Sequence, residues 1–180
     1  MKLLIASNNK HKIEEIKAIL NGKFEQILSL DEANINCDPE ENGATFEENA
    51  TIKATEIAKH TDMAVLADDT GLCVDALGGA PGVFSARYAG NHDFVANRKK
   101  LLEEMKNVAN RTARFETAVV LRYPDGRIVS AKGLVRGKIT EREIGDGGFG
   151  YDCVFYCDEL GKTFGEATPS EKNQVSHRAR

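Results

Sequence analysis

The sequence predicts a mixed α/β fold, and three features of the chain lead to that prediction. Short apolar runs typical of buried strands alternate with segments whose apolar residues recur at helical spacing. Two strand-like segments, 113–123 and 127–137, flank a Pro-Asp-Gly turn, which indicates an antiparallel hairpin. Glycine-rich stretches then separate further elements. A mixed twisted sheet with flanking helices accounts for all three features.

The composition indicates one domain, 1–180, without a nucleic-acid or membrane partner. A net charge of −4 disfavours a surface that holds long nucleic acid. No apolar run approaches the roughly 18–20 residues that span a bilayer, and the apolar start is too short for a signal peptide. The four cysteines form no CxxC pair, so we expect them to pack in the core. A cytoplasmic location fits this pattern.

In the N-terminal half, periodicity and capping signals predict strands and helices in alternation. The first helix is indicated by Ile13, Ile16 and Ile19, and the second by a capping box of Thr45 and Glu48. The predicted elements are a strand at 2–6, a helix ended by Asn21-Gly22, a strand at 24–30, a polar loop at 37–45, a helix to about His60 and a strand ending at Asp68.

The C-terminal half is predicted to begin with irregular, glycine-rich chain up to Gly90. The elements that follow are a helix capped by Asp93, the hairpin, a strand at 151–156, and a last helix opened by Thr168, Pro169 and Glu171.

Asp68 and Asp69 stand side by side where the apolar run 63–67 is predicted to meet a loop. Adjacent anions repel each other unless a cation or a proton intervenes. Asp69-Thr70-Gly71 matches the tripeptide of aspartic proteases, but a single copy would require a symmetric dimer. Alternatively, one aspartate caps a turn. In a third interpretation, one aspartate holds Mg²⁺ while the other takes a proton from water.

Basic and polar residues elsewhere favour that third interpretation. SNNKHK (7–12) lies between a strand and a helix, where helix N–H groups can bind an anion, although it could also be a solvated cap. PEENG (39–43) offers Glu40 and Glu41, which matter only if the fold brings one near the aspartate pair. The lysines that suit a polyphosphate substrate are Lys10, Lys12, Lys53 and Lys172.

Two C-terminal stretches offer groups for binding a base. In GDGGFGYD (145–152), Phe149 and Tyr151 can stack on a purine while Asp152 accepts from base N–H groups; the alternative is an ordinary loop before a strand. In SEKNQVSHR (170–178), Lys172 and His177 would lie about 140° apart on one regular helix. Either they serve different ends, or the helix breaks so that His177 and Arg178 face the same ligand.

Taken together, these stretches resemble the inosine triphosphate pyrophosphatase (Ham1-like) family across nearly the whole chain. The motifs that carry the resemblance are SNNKHK, TFEENATIKA, ADDTGLCVDALGGAPGVFSARYAG, GFGYDCVFY and EKNQVSHR. The resemblance implies two lobes with the active site in the cleft between them. It also implies Mg²⁺-dependent hydrolysis of ITP, dITP or XTP to the monophosphate and pyrophosphate by a homodimer.

The resemblance also implies a role for each matching residue. Asp69 would bind metal and activate water, with Glu40 and Asp68 as further metal-ligand candidates. The residues expected to contact substrate are Ser7, Asn9, Lys10, Lys12, Lys53, Thr70, Phe149, Gly150, Tyr151, Asp152, Lys172, His177 and Arg178. Family members usually have serine where Thr70 stands. They usually continue past Arg180 with a C-terminal helix, so either a less supported base pocket or a less stable protein is expected here.

Two other functions stay open on the sequence alone. A Maf-like nucleotide pyrophosphatase would act on other bases with related chemistry. A non-catalytic nucleotide-binding protein would bind without turnover, although such a protein gains little from adjacent anions beside a phosphate.

Overall fold

The computed structural model describes residues 1–180 and contains seven strands and four α-helices. The strands are β1 (Lys2–Ile5), β2 (Gln26–Ser29), β3 (Ala64–Val74), β4 (Thr112–Arg122), β5 (Ile128–Ile139), β6 (Phe155–Cys157) and β7 (Lys162–Thr163). The helices are α1 (Lys10–Ile19), α2 (Phe46–Ile57), α3 (Phe94–Glu104) and α4 (Pro169–Val175). Short 3₁₀ turns occur at Ala58–His60, Asp75–Leu77, Gly82–Arg87, Asp152–Val154 and His177–Ala179.

All seven strands belong to one mixed sheet, in the order β2-β1-β3-β4-β5-β6-β7. β1 pairs in parallel with both β2 and β3, whereas β6 pairs antiparallel with β5 and β7. The predicted mixed α/β class is therefore confirmed. No helix of the chain has both the length and the apolar character needed to cross a membrane.

The chain divides into two compact units. The first comprises Met1–Asp69 and Thr117–Lys132, and the second comprises Thr70–Glu116 and Gly133–Arg180. The division falls within β3, β4 and β5, so these strands contribute residues to both units. The predicted arrangement of two lobes about a cleft stays a prediction.

In the first unit, the strands separate two apolar clusters whose membership follows strand alternation. Ala64 and Leu66 of β3 pack with Ile16 of α1. Val65 and Ala67 pack in a second cluster, which contains the buried residues Ala50, Ala54 and Ile57 of α2. Because successive side chains of a strand point to opposite faces, even-numbered positions of β3 face α1 and odd-numbered positions face α2.

The second unit has its own aromatic core. Phe155 lies 4.7 Å from Phe115 and 5.2 Å from Phe164, measured between ring centroids. Leu72, Val74, Leu101 and Met105 belong to the same cluster. Cys153 and Cys157 belong to it too, and Cys73 is also buried, as the sequence predicted, whereas Cys37 is only half-buried.

Two strand boundaries were predicted wrongly, and the first concerns the aspartate pair. β3 does not end at Asp68; it continues through Gly71 to Val74. The polar pair and the glycine suggested a loop, but pairing with neighbouring strands keeps this segment extended. Likewise, the predicted strand 151–156 begins only at Phe155, because Asp152–Val154 form a 3₁₀ turn.

Most local signals are confirmed. Asp93 caps α3, the hairpin strands surround the Pro-Asp-Gly turn, and Thr168 forms a complete capping box with Glu171. At α2, Thr45 accepts from the Glu48 N–H as predicted. The Glu48 carboxylate, however, accepts from the Ala44 N–H at 2.6 Å, so only half of the predicted box forms.

Candidate active site

The stretch between β1 and α1 is organised by two predicted site residues. Asn9 caps α1, and its Oδ1 accepts from the N–H groups of His11 and Lys12 at 3.0 and 3.3 Å. The Ser7 hydroxyl accepts from the Asn9 N–H at 3.1 Å. Both side chains therefore shape the helix N-terminus, where N–H groups and the helix dipole favour an anion. The Lys10 side chain nearby is exposed.

Asp68 lies on the α1 side of β3 and is almost fully buried. Its Oδ2 is 3.3 Å from the Lys12 Nζ, and its backbone carbonyl accepts from the Lys53 Nζ at 2.5 Å. Two lysines from different helices thus converge on this one residue. The positive charge that the sequence required beside the aspartate pair is supplied by the protein.

Asp69 lies on the opposite, α2 side and is only 7% exposed. Its Oδ2 accepts from the Asn49 Nδ2 at 2.9 Å, and its backbone carbonyl accepts from the Thr117 hydroxyl at 3.2 Å. Burial raises the pKa of Asp69 above its ordinary value, although the charges of Lys12 and Lys53 act in the other direction. A carboxylate with a raised pKa is a better proton acceptor.

Lys53 connects the aspartate pair to the acidic loop before α2. Its Nζ lies 3.0 Å from the Glu41 Oε1. Burial alone would lower the pKa of Lys53. Nearby carboxylates, Asp68 first and then Glu41 and Asp69, reverse this and raise that pKa above its ordinary value. Lys53 therefore stays charged and can neutralise an anionic ligand.

The oxygen donors of this region suit Mg²⁺ only if a ligand completes the shell. No group of three or more His, Cys, Asp or Glu side chains is arranged to hold a metal ion. Mg²⁺ is commonly held by one or two carboxylates, with substrate phosphates and water filling the other positions. Asp69 and Glu41 fit that pattern, because Glu41 is close enough to raise the pKa of Asp69. Glu40 is exposed, and its metal role stays a prediction.

In the second unit, the predicted base-binding residues gather around the buried Asp152, and Phe149 among them is half-buried. The Asp152 Oδ2 is 2.7 Å from the Lys172 Nζ and accepts from the Phe149 N–H at 3.0 Å. The same Nζ lies 4.8 Å from the centre of the Phe149 ring and 5.5 Å from that of Phe164. Lys172 and Asp152 are 4% and 3% exposed, so this ion pair holds the loop in place.

Two further anchors fix the backbone of the 149–152 loop. The Tyr151 hydroxyl donates to the Ser85 carbonyl at 2.7 Å, and burial raises the pKa of this phenol so that it stays a donor. The Gly150 carbonyl accepts from Arg98 at 3.0 Å, while the same guanidinium pairs with Glu143 at 2.7 Å.

The C-terminal residues are placed by a helix break, which was one of the two alternatives that the sequence left open. α4 ends at Val175, and the Ser176 hydroxyl accepts from the Ala179 N–H to start a 3₁₀ turn. The His177 ring stacks on Phe115 with centroids 4.8 Å apart, and Arg178 donates to the Thr70 hydroxyl at 3.2 Å. Gly133 permits this placement, because a Cβ there would collide with the His177 carbonyl.

The structure thus gathers the predicted residues into two groups, one in each unit, and adds several that the sequence did not single out. Asn49 and Thr117 hold Asp69, and Ser85 and Arg98 hold the 149–152 loop. Of these four residues, only Asn49 could have been identified from the sequence. It lies four residues before Lys53, and that spacing places both side chains on one face of α2.

The raised pKa of Asp69 predicts that this carboxylate costs stability once it is ionised. Its stabilising contribution is complete below the unfolded-state pKa and is lost as pH rises through the folded-state pKa. The neutral Asp69→Asn side chain can still accept from Asn49. We therefore expect Asp69→Asn to raise the melting temperature near pH 8, and to raise it less near pH 4, because lowering the pH protonates the native carboxyl and removes the cost of its charge.

Thermal unfolding in EDTA without nucleotide measures this difference, and the exposed Asp62→Asn controls for the amide substitution itself. A melting temperature that Asp69→Asn lowers near pH 8, or raises equally at both pH values, would contradict the prediction.

Comparison with known proteins places the chain in a recognised family. Residues 3–180 match the Ham1 family. A dITP/XTP pyrophosphatase of Clostridium perfringens is 50% identical over 188 residues, covering 99% of this chain and 92% of that protein. A dITP/XTP pyrophosphatase of Bacillus subtilis is 45% identical over 179 residues, covering 98% and 90%.

Solved structures agree with the sequence comparison. The Staphylococcus aureus Ham1 protein superposes with a TM-score of 0.87 at 41% identity, covering 99% of this chain and 93% of that one. A HAM1 protein from Coxiella burnetii gives 0.88 at 37% identity, with the same coverage. The resemblance predicted from the five motifs is confirmed, and the chain belongs to the Ham1 family.

Proposed function

We propose that this protein is a dITP/XTP pyrophosphatase, which hydrolyses non-canonical purine nucleoside triphosphates to the monophosphate and pyrophosphate. The observation that carries the proposal is the environment of Asp69. Its buried carboxylate has a raised pKa and is held by Asn49, and Lys12 and Lys53 lie close enough to act on it. Proton transfer and phosphate binding need these groups together. Curated relatives named dITP/XTP pyrophosphatases, 45–50% identical to this chain, support it.

In the proposed reaction, Asp69 accepts a proton from the attacking water. The water oxygen forms a bond to the α-phosphorus while the bond from that phosphorus to the bridging oxygen breaks. The electron pair of the broken bond leaves with pyrophosphate. Lys12, Lys53 and the N–H groups at the start of α1 bind the phosphate oxygens and stabilise their negative charge.

We propose Mg²⁺ as the cofactor, held by Asp69 with either Glu40 or Glu41 and by the substrate phosphates. When bound, Mg²⁺ would neutralise charge on the phosphates and lower the pKa of a coordinated water. Asp68 was also proposed as a ligand. Its position on the other face of β3 and its ion pair with Lys12 suggest instead that it holds that lysine.

For the base, we propose recognition by the second unit. Phe149 offers a ring for stacking, and N–H groups of Arg178 and of the Gly150 and Tyr151 backbone can donate to a 6-oxo group. Adenine carries an amino group at that position, and guanine adds a 2-amino group. A site that leaves polar groups unpaired with the wrong base can discriminate by about 10²-fold or more.

The resemblance to the family also leads us to propose a cytoplasmic homodimer. Sedimentation of the purified protein measures the oligomeric state directly.

A panel of nucleoside triphosphates tests the function. We expect pyrophosphate release from dITP, ITP and XTP with kcat/KM about 10²-fold above that for ATP and GTP, because adenine lacks the 6-oxo acceptor and the 2-amino group of guanine would be left without a partner. Activity should need Mg²⁺, be partly restored by Mn²⁺ and vanish in excess EDTA. Equal turnover of GTP and ITP would refute the base selection. Preference for another base would favour a Maf-like enzyme, and binding without turnover a non-catalytic protein.

Two neighbouring residues provide a matched test of metal binding. If Glu41 is the ligand, Glu41→Gln should raise the Mg²⁺ concentration needed for half-maximal activity by about 10-fold. Glu40→Gln, which alters an exposed side chain one residue away, should then change it little. The opposite pattern would assign the metal to Glu40, as the sequence predicted. If neither variant shifts the Mg²⁺ dependence, the acidic loop does not bind the metal.

A further inference from the structure

We infer that Asn49 is a positioning residue for the hydrolytic reaction, which orients the Asp69 carboxylate and ties it to the acidic loop. The inference rests on the proposed function. It concerns a residue that contacts neither substrate nor metal in that proposal and acts through Asp69.

The Asn49 side chain makes two hydrogen bonds that together fix the orientation of its amide group. Asn49 is completely buried in the first turn of α2. Its Nδ2 donates to the Asp69 Oδ2 at 2.9 Å, and its Oδ1 accepts from the Gly43 N–H at 2.8 Å. A backbone N–H can only donate and a carboxylate only accept, so the two partners fix which end of the amide is which.

Gly43 makes the second bond possible by close approach. A Cβ at this position would lie 2.7 Å from the Glu48 Cβ and 2.8 Å from the Asn49 Oδ1. Any larger residue would therefore push the acidic loop away from α2. The loop that carries Glu41 is thus held by the same amide that holds Asp69, and a shift of either partner is transmitted to the other.

Packing alone does not account for an asparagine here. The adjacent buried residues Ala50 and Ala54 are apolar, and leucine would be a better helix former than asparagine. The amide instead restricts rotation of the Asp69 carboxylate about its Cβ–Cγ bond. A displacement of a catalytic group by about 1 Å can reduce the reaction rate by about 10²-fold.

A double-mutant cycle with Asp69→Asn separates this role from a merely structural one. We expect Asn49→Leu to lower kcat for dITP by about 10–100-fold, with KM changed less than about 3-fold, because the loss falls on the chemical step. In the Asp69→Asn background the same substitution should lower kcat by less than about 2-fold, since no carboxylate remains to be oriented. Equal reductions in the two backgrounds would overturn the inference.

Asn97→Leu is the matched control. Asn97 is also a fully buried helical asparagine, and its amide binds the backbone of Ala86, Ala89 and Gly90. It does not contact Asp69, so we expect its effect on kcat to be the same in both backgrounds.

A second variant covers the case in which Asn49→Leu does not fold. Asn49→Asp keeps the size and the acceptor for Gly43 but places a like charge against Asp69, so kcat should fall. Combined with Asp69→Asn, the hydrogen bond can re-form with donor and acceptor exchanged. The melting temperature should then recover while kcat stays at the level of Asp69→Asn alone; no recovery would contradict the pairing.

The outcomes distinguish the two proposals. No pyrophosphate release from dITP or XTP by the unmodified protein would overturn the proposed function and this inference with it. Release that Asn49→Leu leaves unchanged would overturn the inference alone.

Discussion

The burial of a carboxylate inside a β-strand is the constraint on which the first unit depends. Asp69 sits at an odd-numbered position of β3, whose neighbours Val65 and Ala67 are core residues on the same face. A carboxylate there requires hydrogen-bond partners and nearby cations, because an isolated buried charge is strongly unfavourable. Asn49 and Lys53, one turn apart on α2, meet that requirement, and both also bind the acidic loop.

In the second unit, the main constraint is that a glycine-rich loop must be kept in one conformation. The 149–152 loop is held at one end by the Asp152–Lys172 ion pair and in its middle by Arg98, which donates to the Gly150 carbonyl. Breaking a buried ion pair by removing one partner typically costs about 3–5 kcal/mol, whereas surface pairs contribute little. Lys172 is therefore committed to holding the loop in the structure, and its predicted contact with substrate stays a prediction.

Sequence patterns predicted the elements that depend on local signals, such as the α4 capping box and the hairpin at Pro124. They failed where tertiary contacts outweigh local preference. A loop is suggested by Asp68, Asp69 and Gly71, yet β3 continues as a paired strand to Val74. Because the segment is extended, strand alternation turns the Asp68 and Asp69 side chains to opposite faces of the sheet. Thr117 and Arg98 come from distant segments, so only the fold reveals their contacts.

The catalytic assignment of Asp69 is tested most directly by the turnover of Asp69→Asn with saturating dITP and Mg²⁺. The substitution keeps the shape and the hydrogen bond from Asn49 but removes the proton acceptor. We expect kcat to fall by roughly 10²–10⁴-fold, the usual contribution of a general base, while the protein stays folded. A folded Asp69→Asn protein with near-normal kcat would show that another group activates the water.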